Sequence, residues 1–382
     1  MAGTTTNFAI PYPSSSDYVT DGATAMRSIA DRVDAVMFTG SSSGNLLING
    51  AMQVNQRVQP VGTPVTLLSS SGYYTADRWR FGINLGTWTQ TTVVDAPTGS
   101  GFRNSLKIQP TTAGTMAAGS LGYFTQAIEG QNCQAIRKGT ASAQTLTVSF
   151  WVKAFQTGTY IVELNDYTNT RAVSKAYTIT ASATWQYVSI VFPADTTGAL
   201  ANSDAGALEI SFWLAAGTNY SSGTLQTTWG ALTSANRAVG QTNVASSTSN
   251  YWQMTGAQLT VGSVATPFEF KSYANDLQDC QRYYQIWSNS SNTSFMTIAS
   301  SIYSTPMSLP VVMRTITSTN VTFVATIYGN GGSYSLNTLG VTVLESTRPQ
   351  FFTLSGTFSG SWNYSWPLAT FNTHTVVFNS EF

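Results

Sequence analysis

The feature that most constrains this chain is a two-residue hydrophobic period that recurs in short runs from about residue 45 onward. At 145–155, Leu146, Val148, Phe150 and Val152 point one way, and Thr145, Thr147, Ser149, Trp151 and Lys153 the other. At 185–192, Tyr187, Ser189 and Val191 oppose Val188, Ile190 and Phe192. Side chains alternate across a strand, so each run is half-buried, one face on a core and one on solvent. Further strands are expected at 105–110, 123–129, 159–164, 175–180, 207–214 and 252–261. Many short strands separated by Gly, Ser, Thr and Asn turns read as an antiparallel sandwich, and their number and span favour a jelly roll over 45–272. A long segment within it, 217–250, reads as a loop rich in Ser, Thr and Asn.

A polar stretch, 272–281, leads into a second β-rich domain, 273–382. Strands are expected there at 282–287, 294–303, 311–317, 321–328, 342–344, 351–358 and 375–378. Gly329-Asn330-Gly331-Gly332 is a strong hairpin turn. No internal repeat exists, which excludes solenoids and propellers. The expected fold is an all-β body, a jelly-roll sandwich plus a second β-sandwich-like C-terminal domain. A short extended N-terminal anchor and a coiled-coil-like helix precede it.

Residues 1–44 form that leading domain. The first 16 are rich in Thr, Pro and Ser around an apolar centre, and Phe8, Ile10 and Tyr12 are suited to docking on another protein. A helix is expected at about 18–37, where Val19, Ala23, Met26, Ala30, Val33 and Met37 are spaced 4-3-4-3-4. Gly40-Ser41-Ser42-Ser43-Gly44 separates this seam from the body, so self-association is the natural way to bury it. Fewer than three heptads are marginal alone, and the body must help hold any oligomer together.

Composition narrows the function. Only 9% of the 382 residues are charged, with 17 basic and 17 acidic, against roughly 25% in an ordinary domain. Without a basic cluster nucleic-acid binding is disfavoured, and no apolar run is long enough to insert in a membrane. The N-terminus carries no secretory signal. Cys133 and Cys280 fit no zinc spacing and read as buried free thiols.

Catalytic motifs are weak. Gly40 to Gly44 matches G-x-S-x-G but follows a helix and lies in a linker, where no strained strand-to-helix turn exposes a serine. His374 is the sole histidine and has no metal-ligand companion. Paired carboxylates for glycan cleavage need ~5–10 Å separation. The candidates are Glu163 with Asp166, Asp195 with Asp204, and Glu209, all expected to be turn caps or solvated loop acids. The same oxygens could instead hold Ca2+. No other cofactor and no enzymatic activity are expected. Aromatic groups outside strands are the better ligand candidates: Tyr220 and Trp229 in the long loop, and Tyr334 beside the glycine turn. Trp362, Tyr364 and Trp366 alternate and are expected to be core or an oligomer contact.

Several segments resemble phage tail proteins. Thr6-Asn7-Phe8-Ala9-Ile10-Pro11-Tyr12-Pro13, Asp21-Gly22-Ala23-Thr24-Ala25-Met26 and Asp31-Arg32-Val33-Asp34 are similar to an N-terminal attachment segment. Asn45-Leu46-Leu47-Ile48-Asn49-Gly50 and Gln53-Val54-Asn55-Gln56-Arg57, followed by Asp77-Arg78-Trp79, resemble phage fibre domains. Phe150-Trp151-Val152-Lys153-Ala154 resembles a strand of carbohydrate-binding-module-like jelly rolls. Gln258-Leu259-Thr260-Val261-Gly262, Thr266-Pro267-Phe268-Glu269, Cys280-Gln281-Arg282-Tyr283-Tyr284-Gln285 and Pro310-Val311-Val312-Met313-Arg314 continue the likeness.

The resemblance covers most of residues 1–314, and residues 315–382 match nothing in it. It implies a homotrimeric fibre-type virion adhesin, attached by residues 1–16 to another virion structural protein and presenting β-domains to a host-surface glycan. The helix seam would then be a trimer seam, and Asp77, Arg78 and Trp79 would be structural. A head fibre or decoration protein is the alternative, and a glycan-cleaving tailspike a further one. Assembly in the host cytoplasm and release by lysis would reconcile the missing signal with the β-rich, charge-poor body.

Overall fold

The computed structural model describes residues 44–289 apart from 59 and 69. It also describes 3–4, 11–12, 22, 24, 26–29, 293–298, 301–304, 307–314, 321–329, 332–334, 336–343, 351–358 and 368–381. The chain divides into two compact units, 1–53 with 58–270, and 54–57 with 271–382.

Near the start, β1 (Gly3–Thr4) pairs with β2 (Pro11–Tyr12), so the backbone of Tyr12 lies opposite Gly3. Gly22, Thr24 and Met26 to Ile29 are helical, and Met26 is 70% exposed. The remaining anchor and seam positions, Phe8, Ile10, Val19, Ala23, Ala30, Val33 and Met37, lie outside the described residues. So do Gly40 to Ser43 and Trp362, Tyr364 and Trp366.

The body of the first unit is an antiparallel sandwich. Its strands are β3 (Val65–Leu68), β4 (Gly72–Tyr73), β5 (Arg80–Ile83), β6 (Thr87–Val93), β7 (Ser105–Pro110), β8 (Leu121–Glu129) and β9 (Leu146–Ala154). Then come β10 (Gly158–Asp166), β11 (Arg171–Ile179), β12 (Gln186–Phe192), β13 (Gly206–Ala216), β14 (Gly230–Ala231) and β15 (Trp252–Val261). One sheet has six strands in the order β12-β9-β15-β7-β6-β3, the other seven in the order β14-β11-β10-β13-β8-β5-β4.

Inward positions of both sheets meet in one core. Trp79 stacks on Phe124 at 4.9 Å, and Phe212 touches Phe150 at 5.0 Å and Trp252 at 5.9 Å. Each such buried side chain contributes roughly 1.5–3 kcal/mol. Asp77, Arg78 and Trp79 are all buried, in the structural role expected of them. Arg78 takes a left-handed φ of 72° and donates to Ala127 O at 2.8 Å, while Trp79 donates to Asn49 O at 3.1 Å.

The chain comes into the sandwich where it goes out. Asn45 Nδ2 donates to Ala257 O at 2.9 Å, and Asn45 Oδ1 accepts from Leu259 N at 2.9 Å. Leu46 N donates to Leu259 O, and Asn45 N to Glu269 Oε2 at 2.8 Å.

Four strands before residue 100 that sequence alone does not announce, β3 to β6, complete the two sheets. Segment 217–250 is also more structured than expected: it holds the short helix α1 (Thr218–Ser221), β14 and two 3-10 turns.

In the second unit the polar stretch 272–281 is a helix, α2 (Tyr273–Gln281), whose N-cap Ser272 Oγ accepts from Asn275 N at 3.2 Å. After it run β16 (Tyr284–Asn289), β17 (Thr293–Ile298), β18 (Ser301–Ser304), β19 (Met307–Ser308) and β20 (Val321–Gly329). β21 (Gly332–Tyr334), β22 (Leu336–Val343), β23 (Phe351–Phe358) and β24 (Leu368–Asn379) follow. All pair antiparallel in one connected network. The glycine turn forms its hairpin, with Gly329 opposite Gly332. The single strand expected at 294–303 is instead the hairpin β17–β18, and 311–314 is not a strand. Arg57 binds Glu381 at 3.2 Å and lies 3.7 Å over the Tyr284 ring.

Candidate functional site

On the outer face of the seven-stranded sheet, strand register places side chains in three rows. Glu163 on β10 lies beside Ser211 on β13, Ser211 beside Thr125 on β8, and Thr125 beside Arg80 on β5. One row along, Trp213 faces Tyr123, which faces Gly82. On the other side, Asn165 faces Glu209, which faces Ala127. A Cβ on Gly82 would stand 2.6 Å from the Tyr123 ring, so the glycine is what lets that ring lie across the strand.

The aromatic row is continuous. Tyr123 and Trp213 are 5.4 Å apart, and Tyr220 from α1 lies 5.6 Å beyond Trp213. The polar row is continuous too: Ser211 Oγ lies 3.2 Å from Glu209 Oε1 and 3.1 Å from Thr125 Oγ1, with one proton to give to either. Tyr167, 47% exposed, lies at the rim near Glu209; burial, then the charge of Glu209, push its hydroxyl pKa up. Tyr123, Tyr220 and Arg80 are half-buried, while Glu209, Ser211 and Thr125 form a buried floor.

Arg237, delivered by segment 217–250, closes one end. It grips Glu163 through Nε–Oε1 and Nη2–Oε2, both at 2.8 Å, with its guanidinium 5.1 Å from the Trp213 ring. The Trp213 indole adds a third bond to Glu163 at 3.1 Å. Burial pushes the Glu163 carboxyl up, and the Arg237 and Trp213 bonds oppose that shift. Burial lowers Arg237, but its bonds to Glu163 outweigh this and hold it charged.

The acids are therefore not the solvated caps expected from sequence. Glu163, Asp166, Asp195 and Glu209 are all buried. Glu163 and Asp166 stand three residues apart on one strand, which sends them to opposite faces and excludes a carboxylate pair. Asp166 receives Lys138 Nζ at 2.6 Å, and Asp195 receives Lys138 at 2.9 Å and Arg171 through two bonds, whereas Asp204 is exposed. Burial raises Asp195, but bonds from Arg171 and Lys138 outweigh it and hold the carboxyl below its usual range.

Trp229 belongs to this second cluster. Its indole donates to Pro193 O at 2.9 Å and its ring lies 5.1 Å from Lys138 Nζ. A cavity of about 470 Å³ opens nearby between Cys133, Arg137, Lys138 and Leu200. Burial, then the charge of Asp166, push the Cys133 thiol up to about 12, which leaves it unreactive at neutral pH. Cys133 and Cys280 are both buried and free.

Of the three aromatic candidates, Tyr220 joins the aromatic row, Trp229 packs on Lys138, and the backbone of Tyr334 sits in β21 of the second unit. Tyr220 and Trp229 therefore lie in different clusters. The backbone of His374 lies mid-strand in β24, between Asn289 and Ala325. Tyr123, Trp213 and Arg237 had no motif to reveal them. Among the described residues no group of three or more His, Cys, Asp or Glu side chains is placed to hold a metal ion. No helix among them is long and apolar enough to cross a membrane.

A scan of protein-family models finds no match to this chain, and a search of curated proteins finds none. Among solved structures the chain is similar to the enzymatically active domain of bacteriophage CBA120 tailspike protein 4, at 16% identity and a TM-score of 0.28, covering 57% of this chain and 21% of that one. It is also similar to a family 11 carbohydrate-binding module from Clostridium thermocellum, at 11% identity and a TM-score of 0.26, covering 55% and 100%. A cyclase from Fischerella sp. gives 11% identity and a TM-score of 0.29 over 59% and 100%. Likenesses this low leave function to be argued from the site itself.

Proposed function

We propose that the seven-stranded face binds a glycan without cleaving it. The observation that carries this reading is the adjacency of two rows, aromatic Tyr123–Trp213–Tyr220 beside hydrogen-bonding Glu209–Ser211–Thr125. Sugar rings offer apolar C–H faces and ring hydroxyls; the half-buried rings of Tyr123 and Tyr220 and the exposed Tyr167 can meet them, over a buried floor of Trp213, Ser211, Thr125 and Glu209 that holds those rings in place. Tyr167 at the rim interacts with Glu209, and Arg80 lies beside Thr125, so a phenol and a guanidinium border the rings with donors for sugar oxygens. Binding rather than turnover is supported by Glu163, whose carboxylate is gripped by Arg237 and is so a poor candidate for a mobile acid.

In this reading the chain is the body of a fibre-type virion adhesin assembled as a homotrimer. The attachment-like segment within residues 1–34 supports this, as does the helical Met26, whose exposed side chain suits burial by partner helices. Titration against a panel of neutral oligosaccharides, repeated with Tyr123→Ala and Glu209→Gln, tests the binding. Affinity that both substitutions weaken supports it; steady release of reducing ends would overturn it. Sedimentation of the full chain as a monomer would overturn the trimer.

A further inference from the structure

The six-stranded sheet also has an outer face, on which Tyr187 and Phe155 are exposed and Trp151 and Tyr251 half-buried. Its six strands carry two charged side chains, both lysines: Lys107 on β7 and Lys153 on β9. Register sets them in one row, with Lys153 and Lys107 on either side of Gln253 on β15. The acid nearby is Asp95, from the β6–β7 connection. It is bound by Lys153, by Gln253 Nε2 at 2.9 Å and by Trp185 Nε1 at 3.3 Å. Lys107 makes no ion pair among the described residues; its ammonium lies 4.7 Å from the Tyr251 ring.

Aromatic groups flank this charged row on both sides. Two residues back along β9, Trp151 meets Tyr187 at 5.4 Å, and Tyr187 is 48% exposed. Two residues forward, Phe155, 46% exposed, meets Tyr251 at 6.3 Å. At a rise of about 3.3 Å per residue the two platforms stand ~13 Å apart along the strand. The apolar bodies are accessible, and the excess charge between them is one unpaired cation.

We propose that this face is a second glycan site, separate from the aromatic row on the opposite sheet, and that it takes an anionic sugar chain. The two platforms stack on sugar rings and Lys107 pairs with a carboxylate or sulfate between them. Asp95 keeps Lys153 engaged and so leaves Lys107 as the anchor. Burial, with the charge of Lys153 adding to it, lowers the Lys107 pKa while Asp95 opposes, a balance that an incoming anion would relieve.

Two matched pairs of polymers test this with the full chain: dextran sulfate against dextran, and polygalacturonate against its methyl ester. Binding is expected for at least one charged member and not for its uncharged match, and it should weaken with salt. Lys107→Gln should weaken it roughly tenfold or more, the scale of a lost charge-assisted hydrogen bond. Trp151→Ala and Tyr187→Ala should each weaken it, while Tyr123→Ala on the opposite face leaves it unchanged. Thermal melting confirms that each variant is folded, and Lys107→Met serves if the glutamine variant is not. Equal binding of charged and uncharged members, no binding to either, or binding indifferent to both Lys107 variants would overturn the proposal.

Discussion

The two outer faces of one sandwich solve the same problem in opposite ways. Both present aromatic rings beside charged groups on antiparallel strands. On the seven-stranded sheet, segment 217–250 lays Arg237 and Tyr220 over the strands, so Glu163 is fully buried and its charge is met by a bidentate partner. On the six-stranded sheet Trp151 is half-buried and Tyr187 exposed, and Lys153 and Asp95 pair at a half-exposed site. The contrast separates stability from recognition. A buried ion pair is sensitive to loss of either partner, because the other is left desolvated; an open one is worth little to stability and is free to serve a ligand.

The largest effect should come from breaking the covered face. Arg237→Met leaves the Glu163 carboxylate buried without its cation and should destabilise the sandwich by about 3–5 kcal/mol, read from denaturant midpoints. Adding Glu163→Gln should recover part of this loss. Lys153→Met on the open face should cost far less, and an equal loss there would erase the contrast.

Next in size is binding. Tyr123→Ala removes one ring from a three-ring row and should weaken neutral-glycan affinity by up to about tenfold while leaving melting nearly unchanged. Calorimetric titration checks it.

Acid sharpens the comparison through its sign. Asp195 and Asp95 both have carboxyls held below their ordinary value of 3.8, so the stability they contribute is present above that value and is lost as pH falls through the lower, folded one. Glu163, pushed up by burial, acts in the opposite sense: protonation relieves its strain as pH falls. Asp195→Asn should flatten the acid limb of a melting-temperature profile between pH 2 and 5, roughly the span of these titrations. A profile unchanged by that substitution would refute the assignment.

The smallest expected effect is Gly82→Ala. The new methyl displaces the Tyr123 ring, a flexible end rather than backbone, so glycan affinity should fall with little change in stability. Equal affinity would mean that the position of this ring is immaterial.

How much of this could be read beforehand depended on whether burial and hydrophobicity coincided. β7 and β15 were legible to the residue: β7 alternates cleanly, and β15 carries two apolar alternating runs on either side of a bulge between Thr255 and Gln258. β6 was not: its inward positions are Trp88, Gln90 and Thr92, so two of three buried side chains are polar and the pattern dissolves. Gly82 interrupts β5 in the same way. The buried acids were misread because a carboxylate in sequence gives no sign of the cation that will meet it; Glu163 and Arg237 are 74 positions apart. One signal was in plain view. Trp151 shared a polar face with Thr147, Ser149 and Lys153, and the same periodicity that buries Phe150 leaves this large aromatic only half-buried.

The union of first and last segments at Asn45 and Leu259 has a mechanical consequence. Residues 44–46 are tied directly to 257–259 and to Glu269, so the places where the chain enters and leaves the sandwich are bolted together. Tension applied through the backbone on either side crosses that short bridge and bypasses the thirteen strands between. The side chains that face solvent can then keep their spacing while the chain around them is pulled.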